Sequence, residues 1–149
     1  MKYHQGLFKP RNPSKYQGDY TKIIYRSSWE QKYMRWCDQN ADILSWSSEE
    51  LAIPYFNEMD QKWHRYFVDF KIDKKNRDDS VITYLIEIKP RGQINKPQLR
   101  KTKTKKYIQE CETWVVNQTK WVFADKYAKE RGWQFAVIDE YILGIKKDK

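Results

Sequence analysis

Cysteine and histidine are scarce in this sequence, and their scarcity argues against several kinds of site. The chain of 149 residues contains two of each. Cys37 and Cys111 lie far apart, form no C-x-x-C pair and have no histidine pair nearby, so we expect no zinc site. Cys37 falls on a helical pattern and is expected to be buried as a small apolar residue. Neither a Ser/His/Asp arrangement nor a glycine-rich phosphate loop is present.

Long apolar segments are also absent. No apolar run reaches about 18 residues, the length that a membrane-spanning helix needs, so we expect no membrane partner. The opening stretch MKYHQGLFKPRNPSKY lacks the apolar segment of a secretory signal. We therefore expect synthesis in a reducing, cytoplasmic compartment.

Basic and aromatic residues, in contrast, are abundant. Lys and Arg number 29 against 20 Asp and Glu, a formal net charge of +9, and aromatic residues make up 16% of the chain. The positive charge favours a polyanionic partner, nucleic acid before membrane, although a basic protein without such a partner is the plainer alternative. The aromatic rings can build a core from few aliphatic residues, and some could stack on bases.

Apolar periodicity and turn residues predict a mixed α/β domain. Residues 1–25 contain Gly and Pro with few periodic apolar positions, which predicts an irregular basic arm, and residues 26–149 are expected to form a single domain. Within that domain the patterns predict a first helix capped by Ser27, strands near 51–56, 62–72 and 81–89, helices over about 96–116 and 119–131, and a last strand near 133–139. This order predicts a small mixed sheet flanked by helices.

Three charged residues stand where apolar residues would be expected. Asp69 interrupts the apolar strand pattern YFVDFKI, and Glu87 and Lys89 end the strand YLIEIKP. If the two strands pair, Asp69 and Glu87 can share one face of the sheet, where two carboxylates can bind a hard divalent cation and Lys89 can stabilise developing negative charge. The alternative is a solvent-facing Glu87–Lys89 ion pair at a strand end, with Asp69 as a turn-flanking acid.

These stretches resemble a known nuclease motif. VDF followed by an E-x-K strand resembles the PD-(D/E)xK nuclease superfamily, with Val68 where the proline of the motif usually stands, and SSWE resembles the helix-borne Glu of that superfamily. The order SSWE, YFVDF, YLIEIKP and then a basic segment is similar to the N-terminal catalytic domain of transposon end-cleaving endonucleases. It is more similar still to the small head completion nucleases of tailed phages, over about residues 25–145.

The resemblance implies a restriction-endonuclease-like core and a Mg²⁺-dependent endonuclease that hydrolyses DNA phosphodiesters, with Mn²⁺ as a substitute ion. It implies that Asp69, Glu87 and the backbone carbonyl of Ile88 bind the metal, that Lys89 acts on the water or the transition state, and that Glu30 reaches the site. A role in phage head completion after DNA packaging follows, in the host cytoplasm or with the virion, with DNA and head, portal or neck proteins as partners. The rival function is a non-catalytic basic head or neck protein that binds DNA or portal subunits.

Glu30 has two interpretations. Ser27, Ser28, Trp29 and Glu30 also form a capping-box pattern, in which Glu30 would bind a backbone N–H at the start of the helix. The sequence leaves both roles open.

A basic segment follows the E-x-K strand directly. From Arg91 to Tyr107 the chain has no acidic residue and seven cations, namely Arg91, Lys96, Arg100, Lys101, Lys103, Lys105 and Lys106. Because this charge lies next to the candidate site, we expect these side chains to contact DNA phosphates, although some of them could simply solvate a helix. The resemblance adds Gln98 as a residue that lines the site. The arm cations Lys2, Lys9, Arg11 and Lys15 are the second candidate for phosphate contact.

Overall fold

The computed structural model describes residues 3–145, with side chains from Gln5 onward. Residues 1–2 and 146–149, among them Lys2 of the predicted arm, lie outside the described residues. The elements in chain order are β1 (Tyr3–Leu7), β2 (Ile24–Ser27), α1 (Ser28–Gln39), β3 (Ile43–Ser48), β4 (Ala52–Asn57), β5 (Lys62–Phe67), β6 (Phe70–Lys75), β7 (Val81–Ile88), α2 (Arg91–Ile94), α3 (Lys105–Glu130) and β8 (Gln134–Ile138). None of the helices within residues 3–145 is long and apolar enough to cross a membrane.

The central sheet has four strands in the order β3-β6-β7-β8. The first three strands are antiparallel, and β8 runs parallel to β7. Two further sheets have two strands each, one formed by β1 and β2 and the other by β4 and β5. The predicted fold class is confirmed: the protein is an α/β domain with a restriction-endonuclease-like core, a small mixed sheet flanked by helices.

The two faces of β7 explain where the two cores lie. Ile86 and Ile88 pack on the side of α1, in a cluster that also contains the buried Cys37. Leu85 lies in the cluster on the side of α3. Because successive side chains of a strand point to opposite faces, Glu87 points to the α3 side as well.

The buried stripe of helix α1 is displaced from the one that apolar spacing predicts. Tyr33, Met34 and Cys37 are buried, and Trp29 is partly buried against the same cluster. Trp36, whose helical spacing from Trp29 and Tyr33 predicts a position facing the core, is 41% exposed. Its position one residue from Cys37 turns it by about 100° around the helix axis, away from the buried stripe.

The predicted strand over 62–72 is two strands in the structure. The chain breaks at Val68 and Asp69, so that β5 pairs with β4 while β6 pairs with β3 and β7. Val68 is buried and its N–H donates to the Leu51 carbonyl at 3.3 Å, which holds the bend. Strand β3 was not predicted, because its Ser-rich sequence ILSWSS is typical of turns and its pairing with β6 decides the structure.

The predicted helices over 96–116 and 119–131 are replaced by a single long helix. Helix α3 runs from Lys105 to Glu130, and residues 95–104 are irregular. Pro97 disfavours helical backbone in the residue before it, and the Thr104 hydroxyl accepts from the Tyr107 N–H at 3.1 Å to cap α3. The basic segment is therefore mostly a loop rather than a helix.

The predicted arm is more ordered than expected. It contains β1 and two short 3-10 turns, and β2 spans the predicted boundary at residue 25. Tyr16 is buried and its ring contacts Trp46, and the N–H groups of Arg11 and Asn12 each donate to Asp38 at 2.9 Å. These contacts anchor the segment to the core, and the pairing of β1 with β2 gives it a regular strand. The division into an arm and a domain at residue 25 stays a prediction.

Candidate active site

The bend between β5 and β6 brings Asp69 beside Glu87. Phe70 pairs with Ile86, so Asp69, one residue earlier, lies across from Glu87. Asp69 Oδ2 accepts from the Ile88 N–H at 2.8 Å, and the two carboxyl groups are close enough to hydrogen-bond to each other. Two residues predicted to share a site are therefore adjacent in space.

This arrangement strongly raises the pKa of Asp69. Burial raises its pKa well above the ordinary value of 3.8, and the nearby Glu87 charge and the hydrogen bond between the two carboxyls raise it further. The Ile88 N–H acts in the opposite direction, and Glu30 adds a smaller repulsion. The pair thus concentrates negative charge that no described side chain neutralises.

Glu87 is held by two aromatic residues from the α3 side. It is only 6% exposed, and the Trp121 indole Nε1 donates to Glu87 Oε2 at 3.1 Å. The buried Tyr66 hydroxyl lies near the same carboxylate: burial raises the pKa of Tyr66, and the Glu87 charge raises it further. This hydroxyl completes no well-aligned hydrogen bond within residues 3–145. The alternative of a solvent-facing Glu87–Lys89 ion pair is therefore wrong.

Sequence reasoning assigned neither Trp121 nor Tyr66 to the site. Apolar spacing places Trp121 on the inner side of the predicted helix over about 119–131, and Tyr66 is one apolar position in the predicted strand over 62–72. The available signal was weak: a buried indole N–H or phenol hydroxyl usually needs a polar partner, but the sequence does not say which one.

Lys89 is an unpaired cation two residues after Glu87 in the chain. It follows the last residue of β7, is half-buried, and its backbone N–H donates to the Ile138 carbonyl at 3.0 Å. Strand alternation places its side chain on the same face as Glu87. Its ammonium group forms no ion pair or hydrogen bond with any residue that the structure describes, so it is available to a bound group.

Glu30 is both a helix cap and a neighbour of the two carboxylates. Its N–H donates to Ser27 Oγ at 3.1 Å, and its Oε1 accepts from the Arg26 N–H at 3.3 Å, one residue earlier than a capping box predicts. Burial raises the pKa of Glu30, and the Arg26 N–H partly offsets this, while Glu49 and Glu87 add repulsion. The cap is present, and Glu30 also lies within electrostatic reach of Glu87, so its site role stays a prediction.

Glu49 is a further acidic neighbour that the sequence did not indicate. Its backbone has a φ of 53°, a left-handed conformation that is uncommon for a non-glycine residue. Its N–H donates to the Asp69 carbonyl at 3.1 Å, and its carboxylate accepts from Arg26 Nε and Nη2 at 3.2 and 3.1 Å. In the sequence, SSEE is typical of a turn and gives no sign of this contact.

The basic segment lies along the loop after β7 and the start of α3. Its exposed members are Lys96, Gln98, Arg100, Lys101, Lys103, Lys105 and Lys106. A cavity of about 770 Å³ opens between this loop and α3, lined by Lys96, Gln98, Arg100 and Lys106 among others. The Trp114 indole donates to the Ile94 carbonyl at 3.0 Å, which ties the loop to the helix.

Arg91 differs from the other cations of the basic segment. Its Nε donates to Asp139 Oδ2 at 2.8 Å, its N–H donates to Glu140 Oε1 at 2.8 Å, and its guanidinium lies 3.8 Å from the centre of the Tyr141 ring. Burial would raise the pKa of Asp139, but the hydrogen bonds from Arg91 and the Ile142 N–H outweigh it and lower the pKa. Arg91 therefore has a structural task, and its predicted DNA contact is the least supported of the set.

The donors at Asp69 and Glu87 fit an open magnesium site. No group of three His, Cys, Asp or Glu side chains in the described residues converges on one point, so a closed protein cage is not formed. Magnesium usually keeps several waters and binds through one or two carboxylates plus substrate phosphates. A pair of repelling carboxylates beside the orphaned Tyr66 hydroxyl matches that donor set.

Comparisons with known proteins agree with the geometry. The family model of the TnsA-like endonuclease N terminal matches residues 40–140. The chain is 38% identical over 141 residues to the head completion nuclease of Enterobacteria phage T4. The aligned region covers 92% of this chain and 91% of that protein. No solved structure gives a significant match. The matched stretch of the family includes Asp69, Glu87 and Lys89 and confirms the resemblance noted in the motifs: the chain belongs to the family of TnsA-like endonuclease N-terminal domains.

Proposed function

We propose that this protein is a Mg²⁺-dependent endodeoxyribonuclease that acts in phage head completion after DNA packaging. The observation that carries the proposal is the meeting of Asp69 and Glu87 at the end of β7. Membership in an endonuclease family and the likeness to a head completion nuclease support it. The place of action would be the host cytoplasm or the virion, with head, portal or neck proteins as partners in addition to DNA.

Each residue of the site has a definite task in this proposal. Asp69, Glu87 and the Ile88 carbonyl would hold the ion, for which Mn²⁺ can substitute. When bound, the ion supplies a Lewis acid that polarises the phosphoryl group and lowers the pKa of the attacking water. Lys89 stabilises negative charge on the phosphate in the transition state or orients the water.

The aromatic residues around Glu87 fix its orientation. Trp121 binds Glu87 Oε2, so the carboxylate cannot rotate freely. The buried ring of Tyr66 excludes bulk water from one side of the carboxylate. A dry, fixed carboxylate pair strengthens electrostatic interactions at the site.

The rival function is a non-catalytic basic head or neck protein that binds DNA or portal subunits. Such a protein would use the basic surface but has no need of the buried Glu87 and the partly buried Asp69 as two carboxylates that repel each other. The raised pKa of Asp69, caused by burial and by Glu87, therefore favours the nuclease.

Metal dependence tests the proposal directly. The purified protein should cut or nick DNA with Mg²⁺ and stop when EDTA is added, and Ca²⁺ should bind without supporting turnover. Calorimetry should detect metal binding in the wild type and in Asp73→Asn, a control carboxylate that is bound to Ser45 at 2.6 Å and to Thr83 at 2.5 Å. Undiminished cleavage in excess chelator would contradict the metal role, and no cleavage of any DNA would contradict the nuclease.

The exposed cations of the basic segment should set the salt dependence of DNA binding. Each duplex phosphate contact steepens the slope of log affinity against log salt by about 0.9. Replacing Arg100, Lys103 and Lys106 together with Gln should flatten this slope by two or three contacts' worth and weaken binding to all sequences alike. Fluorescence anisotropy across a salt series measures it.

A matched triple variant controls for net charge. Lys126, Lys129 and Arg131 lie at the other end of α3 and are also exposed, and the helix separates the two groups by more than about 25 Å at 1.5 Å per residue. Their replacement with Gln should leave the slope nearly unchanged. If the basic-segment variant binds like the wild type at every salt concentration, the loop does not contact the backbone, and Lys9 and Arg11 become the next candidates.

A further inference from the structure

The sheet formed by β4 and β5 exposes large aromatic rings on one face. Trp63 is 65% exposed and Phe67 is 45% exposed, and Arg65, between them on β5, is exposed as well. Phe56 lies opposite Trp63 on β4, and the two rings are in edge contact at 5.5 Å. We call Phe56, Trp63, Arg65 and Phe67 the hairpin face.

The rings of the hairpin face lie mostly outside the core: Trp63 touches Phe123 of α3 edge-on at 5.9 Å between ring centres, yet it remains 65% exposed. The opposite face of the same sheet carries Ile53, Tyr55 and Tyr66, which are buried in the cluster with Trp121 and Ala124 of α3. One face of the two-stranded sheet thus already provides its packing. Exposed neighbouring aromatic rings on the other face indicate an interaction surface.

The charge on the hairpin face selects the kind of partner. The Arg65 guanidinium lies 5.5 Å from the centre of the Phe67 ring and has no acidic partner among residues 3–145. Asp60, an acidic residue of the turn, is bound to His64 at 2.7 Å on the opposite face. Aromatic rings on both sides of an unpaired cation suit a nucleic acid strand, which offers both the π-faces of its bases and its phosphates.

The hairpin face ends close to Asp69 along the chain. Phe67 is two residues from Asp69, a reach of at most about 7 Å of chain. Trp63 is four residues further back, about 13 Å along β5. Tyr66, which lies between them in sequence, points to the opposite face and lies near Glu87, so β5 contributes residues both to the hairpin face and to the surroundings of the site.

We propose that the hairpin face binds DNA with unpaired bases, by stacking Trp63 and Phe67 on bases and placing Arg65 against the backbone. The proposal rests on the proposed function and names its substrate class: DNA with a single-stranded segment next to the phosphate that is cut. Unpaired bases are required because base faces inside a duplex are covered by their neighbours. Stacking is tolerant of sequence, since every base has a π-face.

Binding to two DNA forms tests the proposal without any cleavage. Single-stranded and duplex oligonucleotides of equal length are titrated in Ca²⁺ buffer against the wild type and Trp63→Leu, Phe67→Leu and the double variant. Leucine keeps apolar contact with neighbouring side chains but cannot stack. Each single change should weaken single-strand binding roughly tenfold, within the range known for base–aromatic stacking, and should change duplex binding less than twofold.

A base analogue and a distant tryptophan provide the controls. The fluorescence of 2-aminopurine in the single strand should be quenched by the wild type and not by the double variant. Trp36→Leu, on the exposed side of α1, should leave both affinities unchanged, and circular dichroism melting should show that every variant is folded.

Each outcome decides the question. Unchanged single-strand affinity in the double variant would overturn the proposal and leave the face to a protein partner. Equal losses of affinity for single-stranded and duplex DNA would also overturn it, because they indicate contact with the DNA backbone rather than with the bases. Failure of the metal-dependent cleavage would contradict the proposed function alone, since the stacking measurement uses binding and fluorescence only.

Discussion

Lys89→Ala and Asp69→Asn should both abolish DNA cleavage, but only one of them should weaken metal binding. Lys89 follows the strand that carries Glu87 and has no partner among the described residues. In the proposed mechanism its loss removes stabilisation of the transition state and leaves the metal donors intact. Removing one such preorganised group typically costs about 10²–10³ in rate. Asp69→Asn removes the charge of a donor, and we expect a lower metal affinity as well as lost cleavage.

Calorimetry with Mg²⁺ or Mn²⁺ and a cleavage assay on the same preparations distinguish a loss of metal binding from a loss of transition-state stabilisation. Lys89→Ala should titrate like the wild type and fail to cut, and Asp73→Asn should behave like the wild type in both assays. Equal metal affinity in the wild type and Asp69→Asn would show that Asp69 is not a donor.

Asp69→Asn should also raise thermal stability in EDTA. The folded state raises the pKa of Asp69 through burial and the Glu87 charge. As the pH rises above the ordinary value of 3.8, the unfolded chain releases this proton before the folded chain does, so stability falls with pH until the folded pKa is passed. The Asn side chain still accepts from the Ile88 N–H. Because Asn carries no charge, the replacement removes the loss of stability that ionised Asp69 causes in the folded protein.

Differential scanning fluorimetry at pH 7.5 or so tests the stability effect. For a chain of this size, each 1 kcal/mol of relieved repulsion raises the Tm by about 2–4 °C. Mg²⁺ should raise the Tm of the wild type and have little effect on Asp69→Asn. A lower Tm for the variant in EDTA would mean that the Asp69 charge is compensated in the folded protein.

The sequence predicted the central hairpin and the pairing of the two carboxylates because both rest on local patterns. Alternation in YLIEIKP places Leu85 and Glu87 on one face, and the polar turn before Val81 sets β6 against β7. Register then follows from the buried face, since a slip of one residue would turn every side chain over. These are the same observations that carried the family resemblance.

The remaining parts of the site depend on contacts distant in sequence. Trp121 lies 34 residues from Glu87, and nothing in the pattern of α3 shows which inward residue meets the carboxylate. Glu49 reaches Asp69 only because β3, a strand with a turn-like sequence, pairs with β6. The basic residues are evident from composition, but apolar spacing predicts a helix from about residue 96, where the chain is irregular over 95–104 because Pro97 disfavours helical backbone in the residue before it.

Glu30→Gln should separate the two roles of Glu30. Glutamine keeps an oxygen that can accept from the Arg26 N–H, so the cap and the fold should survive. If Glu30 acts in the site, loss of its charge should lower cleavage by about 10–100-fold, the usual effect of a residue that supports metal donors. Cleavage rates and melting temperatures are measured together.

Ser27→Ala is the matched control, because it removes the other half of the cap without touching the charge. The Ser27 hydroxyl accepts from the Glu30 N–H at 3.1 Å, and such a replacement typically costs about 1 kcal/mol of stability. We expect Ser27→Ala to be less stable and active, and Glu30→Gln to be stable and nearly inactive. Wild-type cleavage by Glu30→Gln would assign Glu30 to the cap alone. The pKa of Glu30, which burial raises, would then result from the position of the cap and would not indicate a function.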